Sequence, residues 1–106
     1  MRKFNHVGIP TRTKQPKENY AADMKLFLTD FNESPNRIEF LRFEEESSLP
    51  EILKTHAHIA YEVDNMAEAL EDKEILIAPS TNDAGMTMAF IVEEGIAIEL
   101  LHFAKQ

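Results

Sequence analysis

The chain contains no cysteine, which removes disulfides, thiol nucleophiles and cysteine-ligated zinc together. Any metal must therefore be held by imidazole and carboxylate, a donor set suited to Zn, Ni, Mn, Fe or Co. Glycine is scarce too: three in 106 residues leave no glycine-rich phosphate loop. No apolar run approaches the roughly 20 residues that span a bilayer, so no membrane partner is expected. The opening Met1-Arg2-Lys3-Phe4-Asn5-His6 leads into no signal-like hydrophobic core, and a cytoplasmic location is expected. Positive charge is also short. Eleven Lys and Arg stand against nineteen Asp and Glu, a formal charge of −8, and the basic residues form no stripe. Affinity for a nucleic-acid backbone comes from neutralising phosphates with such residues, so nucleic acid is not an expected partner. No Ser, His and Asp set can be nominated from spacing.

What remains is an ordinary soluble composition, 43% apolar and 28% charged, and one domain's length of chain. Phe4 to Pro10 reads as a strand ended by proline, with His6, Gly8 and Pro10 on one face and Val7 and Ile9 on the other. The polar stretch from Thr11 to Asp23 has room for one helical turn around Glu18 to Ala22. Met24 to Phe31 reads as a second strand. Turn residues Asn32 to Asn36 join it, as a hairpin, to a strand around Glu39. Glu44 to Pro50 is an acidic, solvated connector. His56 to Val63 opens a second half as a strand, followed by a helix over Met66 to Lys73 capped by Asp64 or Asn65. A short strand from Glu74, stopped by Pro79, then Met86 to Val92 and Ile96 to Phe103 around a Glu93-Glu94-Gly95 turn, complete the chain.

Two stretches repeat each other. Arg37-Ile38-Glu39-Phe40-Leu41-Arg42-Phe43 and Ala97-Ile98-Glu99-Leu100-Leu101-His102-Phe103 share the pattern x-Ile-Glu-apolar-Leu-basic-Phe. A carboxylate inside a run fit for a buried strand needs a partner, because burying it alone costs several kcal/mol. The strands that open each half also correspond: Asn5-His6-Val7-Gly8-Ile9 with Ala57-His58-Ile59-Ala60-Tyr61. The histidines are 52 residues apart and the glutamates 60, a difference that a shortened helical crossover in the first half accounts for. One strand-borne His or Glu is uninformative; two of each at corresponding places point to a shared site. Gly8 and Ala60 share the faces of the histidines and leave room beside them. Leu41, Phe43, Leu101 and Phe103 share the glutamate faces and line the cavity. Two imidazoles and one or two carboxylates there suit a divalent ion with open positions.

These stretches, together with His58 to Asp64 as a module-opening strand and Gly95 to Leu100 as a closing hairpin, resemble the vicinal oxygen chelate superfamily. That group includes glyoxalase I, methylmalonyl-CoA epimerase, fosfomycin-resistance and bleomycin-resistance proteins and extradiol dioxygenases. The resemblance implies an α+β fold of two pseudo-symmetric βαβββ modules forming a cupped mixed sheet, with a shortened helix in the first. A single glyoxalase-like domain would hold module one over about residues 1–46 and module two over about 55–106. It implies a divalent metal ion held by His6, Glu39, His58 and Glu99, with Glu99 or Glu39 as ligand and base in turn. The activity implied is a lyase or isomerase moving a proton next to a carbonyl of a small metabolite or thiol adduct. The alternatives are a non-catalytic small-molecule binder of bleomycin-resistance type and a structural domain whose His and Glu pair with each other. The chain departs from the group in its short first module and in carrying Glu93-Glu94-Gly95 where many relatives have Asp-Pro-Asp/Glu-Gly. Exposed sheet edges and apolar surface, with the habit of the relatives, lead us to expect a homodimer.

Other candidates carry less. His56 is expected in solvent, His102 on the face away from the site, and Arg37 and Arg42 at the surface. Met86, Met88 and Phe90 alternate on one face as core or cavity lining.

Overall fold

Strands that alternate apolar residues with His or Glu can bury both faces only if one face supplies partners for the polar groups. In the computed structural model, which describes residues 1–104, eight strands form one curled mixed sheet. They are β1 (Arg2–Pro10), β2 (Asn19–Ala21), β3 (Leu26–Leu28), β4 (Ile38–Phe43), β5 (His58–Val63), β6 (Glu74–Thr81), β7 (Met86–Glu93) and β8 (Ile96–Phe103). Two short helices, α1 (Glu51–Thr55) and α2 (Met66–Leu70), and a 3-10 turn at Phe31–Glu33 complete the described elements.

The strand order β2-β3-β4-β1-β5-β8-β7-β6 contains the same arrangement twice. In each half the first strand pairs parallel with the last, β1 with β4 and β5 with β8, and the two first strands meet antiparallel at the centre. The α+β architecture with pseudo-symmetric halves is thus as the sequence repeat predicts. Helix α2 covers the outer face of the second half: Met66, Ala69 and Leu70 pack on Val63, Ile91, Ile98 and Leu100. Asn65 caps it by accepting the Glu68 amide at 3.1 Å, and the chain turns out of it through Asp72 at φ 57°. On the opposite face Leu53 of α1 is buried against Phe90 and Ala97, with Phe43 and Met88 around it.

Several expected elements differ. Within the segment from Glu18 to Ala22, Asn19–Ala21 forms strand β2 instead of a helical turn, and residues 11–18 carry only bends. Glu18 is held there by Arg42, at 2.8 Å from Nε and 2.7 Å from Nη2, and Arg42 lies 4.2 Å over the Phe27 ring. The expected strand from Met24 to Phe31 shrinks to Leu26–Leu28, because Asp30 caps the 3-10 turn through the Asn32 amide. The outer strands therefore carry most of the length difference between halves: three residues each in β2 and β3, eight each in β6 and β7. The helix expected to reach Lys73 stops at Leu70. Pro79 does not stop β6, which lies at the sheet edge with its register shifting between Ile77 and Ser80, where a missing N–H costs no ladder bond. Helix α1, for which the sequence reading has no counterpart, follows Pro50.

Candidate metal centre

Cross-strand neighbours on one face determine what can meet. Gly8 of β1 pairs with Glu39 of β4, and Ala60 of β5 pairs with Glu99 of β8. Across the central seam His6 faces Ala60 and Gly8 faces His58. Four adjacent strands thereby deliver His6, Glu39, His58 and Glu99 to a single patch. The small residue of each half lies opposite the histidine of the other. This corrects the expectation that Gly8 leaves space for a bound species: a Cβ there would stand 2.2 Å from His58 Cε1 and 2.6 Å from its Nε2. The imidazole itself fills the room.

His6, His58 and Glu99 are buried, and the Glu39 side chain is 15% exposed. One donor atom each from His6, Glu39 and His58 lie within 4.8 Å of one another. Glu99 Oε1 sits 3.2 Å from His58 Nε2, within hydrogen-bonding geometry, and 3.4 Å from His6 Nε2, outside it. Glu39 Oε1 is 3.7 Å from His6 Nε2. The surrounding wall is aromatic: Phe31 stacks on His6 with centroids 4.2 Å apart, and Phe90 meets His58 edge-on at 5.5 Å. Met88 and Phe90 thus serve as core and lining, as expected of that face.

The two carboxyls diverge in character. Burial pushes Glu39 up to about 7; His6 and His58 oppose that, and the nearby Glu99 charge adds to it. Burial acts in the same sense on Glu99, yet its contacts with His58 and His6 outweigh burial and hold it below the ordinary value.

The residues fit a divalent ion. Their donors are nitrogen and carboxylate oxygen, as transition metals require, and they converge in a site enclosed by apolar side chains. His6 Nε2 points into the cluster buried and without a hydrogen bond of its own, which is costly unless something engages it. A cavity of about 750 Å³ is lined by Pro10, Phe43, Arg12, Lys54 and neighbours, and by none of the four site residues. Pro10 and Phe43 nonetheless share the site face, four residues beyond His6 and Glu39 on two parallel strands.

The remaining candidates fall elsewhere. His56 is exposed and bonds the Thr55 hydroxyl at 2.7 Å, and His102 Nδ1 bonds the Val63 carbonyl at 3.0 Å, away from the cluster. Phe103 is half-exposed instead of lining the site. Arg37 and Arg42 are engaged, not free at the surface: Arg42 holds Glu18, and Arg37 donates to the Asn5 carbonyl while covering Phe31 at 4.8 Å. Asn5, Phe31 and Glu62 are parts of the site that the sequence reading did not nominate. Asn5 touches His6, yet in a regular strand two successive residues point to opposite faces, so nothing in the pattern marks it.

No protein-family model matches the chain, and no curated protein matches it either. Among solved structures, a hypothetical protein from Bacillus halodurans C-125 superposes with a TM-score of 0.70 at 19% identity, covering 99% of this chain and 96% of that one. Methylmalonyl-CoA epimerase from Mycobacterium tuberculosis superposes with a TM-score of 0.62 at 17% identity, covering 97% of this chain and 89% of that one. At these identities the likeness is one of fold.

Proposed function

We propose that this chain, which has the vicinal oxygen chelate fold, is a divalent-metal-dependent lyase or isomerase that moves a proton next to a carbonyl group. The reading takes residues 1–106 as a single domain of two modules, with His6, Glu39, His58 and Glu99 as ligands. It rests on one observation: His6, Glu39 and His58 donors within 4.8 Å of one another in a buried site. A bound divalent ion in such a donor set polarises a carbonyl oxygen and so acidifies the adjacent C–H.

The chain's own residues divide the remaining work. Glu99 contacts both imidazoles and suits a ligand that stays ionised. Glu39 contacts one imidazole at 3.7 Å and is the more exposed of the two. It suits the role of proton acceptor. Phe31 and Phe90 exclude water from the rings they cover. The structure of the epimerase from Mycobacterium tuberculosis has the same fold, which supports an epimerase-like substrate, a small metabolite or thiol adduct, entering past Pro10 and Phe43.

Metal analysis of the purified protein tests this first, with His58→Ala as control. Near-stoichiometric Zn, Ni, Mn, Fe or Co in the wild type and its loss in the variant is the expected result. On a turned-over substrate, Glu39→Gln should then cost about 10²–10⁴-fold in kcat. No bound metal after incubation with excess divalent ions would sink the reading and leave a ligand-binding cleft.

A further inference from the structure

His6 and His58 occupy matching places in different surroundings. His6 Nδ1 lies 2.7 Å from Asn5 Oδ1, and Asn5 Nδ2 donates to Glu62 Oε2 at 3.0 Å. His58 Nδ1 is buried with no partner among the described residues. The difference has a backbone cause. The β1–β5 ladder pairs Phe4 with Tyr61 and His6 with Ala60, which leaves Asn5 as an extra residue. A bulge of this kind re-aims side chains that a regular strand would send to opposite faces. Asn5 therefore reaches its neighbour's ring. The second half has Ala57 in the corresponding place, with no oxygen to offer. Arg37, in a left-handed conformation at φ 54°, secures the bulge by donating Nε–H to the Asn5 carbonyl. Phe31, beneath that guanidinium, stacks on His6.

Chemistry sets the direction of this chain of bonds. A carboxylate only accepts, so Glu62 takes the amide nitrogen of Asn5. The amide oxygen then faces the imidazole, and an acceptor there requires the ring proton on Nδ1. Nε2 keeps its lone pair, beside Glu39 and Glu99. We propose that Asn5 and Glu62 are positioning residues that lock His6 in the Nδ1–H tautomer, presenting Nε2 as a metal donor, whereas His58 Nδ1 has no partner among the described residues and its Nε2 faces the Glu99 carboxylate. The tautomer stands on the hydrogen bonds alone; its use toward a metal rests on the reading given under Proposed function.

Long-range ¹H–¹⁵N NMR on the metal-free chain, at a pH where the rings are neutral, reads each tautomer directly. His6 should show a protonated Nδ1 and a bare Nε2. In Asn5→Ala it should revert to the Nε2–H form that unrestrained imidazoles favour. Glu62→Gln, which leaves Asn5 in place should Asn5→Ala fail to fold, lets both amides turn over and should give a mixture. The pair N5D/E62Q sets a carboxylate, which only accepts, against Nδ1 and gives that carboxylate the new amide at position 62 as a second donor, so it should restore the wild-type tautomer. Zn²⁺ affinity should fall about 10–100-fold in Asn5→Ala and recover in the pair. An Nε2–H tautomer in the wild type, or one unchanged in both single variants, overturns the proposal. A locked Nδ1–H tautomer in a protein that binds no divalent ion upholds the lock and overturns the metal reading.

Discussion

Gly8 is the residue on which the site depends most. Its missing side chain is the space that His58 occupies, so even one methyl group must displace the ring. Overpacking of this sort costs roughly 1–3 kcal/mol. Gly8→Ala should lower the melting temperature and cut divalent-metal affinity at least tenfold, readable by calorimetric titration; unchanged affinity would mean that His58 is not held where the structure puts it. Glu39 makes a prediction about pH. Its folded-state value near 7 lies above the ordinary 4.5, so folding favours its protonated form. The stabilisation is therefore fully present below about 4.5 and is lost as pH rises through 7, a difference on the order of 3 kcal/mol. Metal-free Glu39→Gln, which stays neutral, should match the wild type at pH 4.5 and exceed it at pH 8 in urea denaturation. Equal differences at both pH values would contradict the assignment. The four candidate residues stand out in the sequence because each half repeats them. Asn5 was not legible, since its role comes from a bulge that depends on pairing with a strand more than fifty residues away.

At the scale of elements, α1 shows what short helices do here. Its five residues are too few to be stable alone, and its Pro50 N-cap makes no side-chain hydrogen bond. Leu53 holds it, packed on Phe90 and Ala97 on the face that carries the site. Leu53→Ala should cost about 2–5 kcal/mol and loosen Phe90 over His58, so that chemical denaturation and the His58 NMR signal change together. A destabilised protein with an unaltered His58 signal would separate the helix from the site. Strands β4, β5, β7 and β8 could be read from alternation, because buried strands impose a period of two. Helix α1 left fainter marks: a proline ahead, Glu51 in the first turn and Lys54 in the last. Strand β3 was read too long, from Met24 to Phe31, and the three-residue strand β2 left no mark, being too short for any period.

Across the whole molecule, two ion-pair clamps join distant parts of the chain. Arg2, at the start of β1, grips Glu93, at the end of β7, at 2.7 and 3.0 Å, and Lys73 adds a third contact at 2.9 Å. Hydrogen bonds from Arg2 and then Lys73 hold Glu93 down to about 2, and Arg42 does the same for Glu18. Carboxyls lowered in this way stabilise the fold above the ordinary carboxylate range and lose that contribution as pH falls toward 2. Glu93→Gln should cost up to about 1 kcal/mol at pH 7 and nothing at pH 2. Equal loss at both would show that packing, not charge, is involved. A metal at the seam would act on the whole fold: at a hundred times its dissociation constant it adds about 2.7 kcal/mol. A melting temperature that rises with Zn²⁺ and falls again with chelator is the expected signature.

The reciprocal pairing of Gly8 with His58 and His6 with Ala60 bears on how the chain arrives at this fold. If β1 slid by one residue along β5, every side chain would change faces, and His6 would leave Glu99 for the outer surface. Only the native alignment gathers the four donors, so a divalent ion present during refolding would reward one register and none of its rivals. The centre would then proofread the assembly of the two halves. Refolding from denaturant should recover more native protein with the ion than without it, even before any substrate is known.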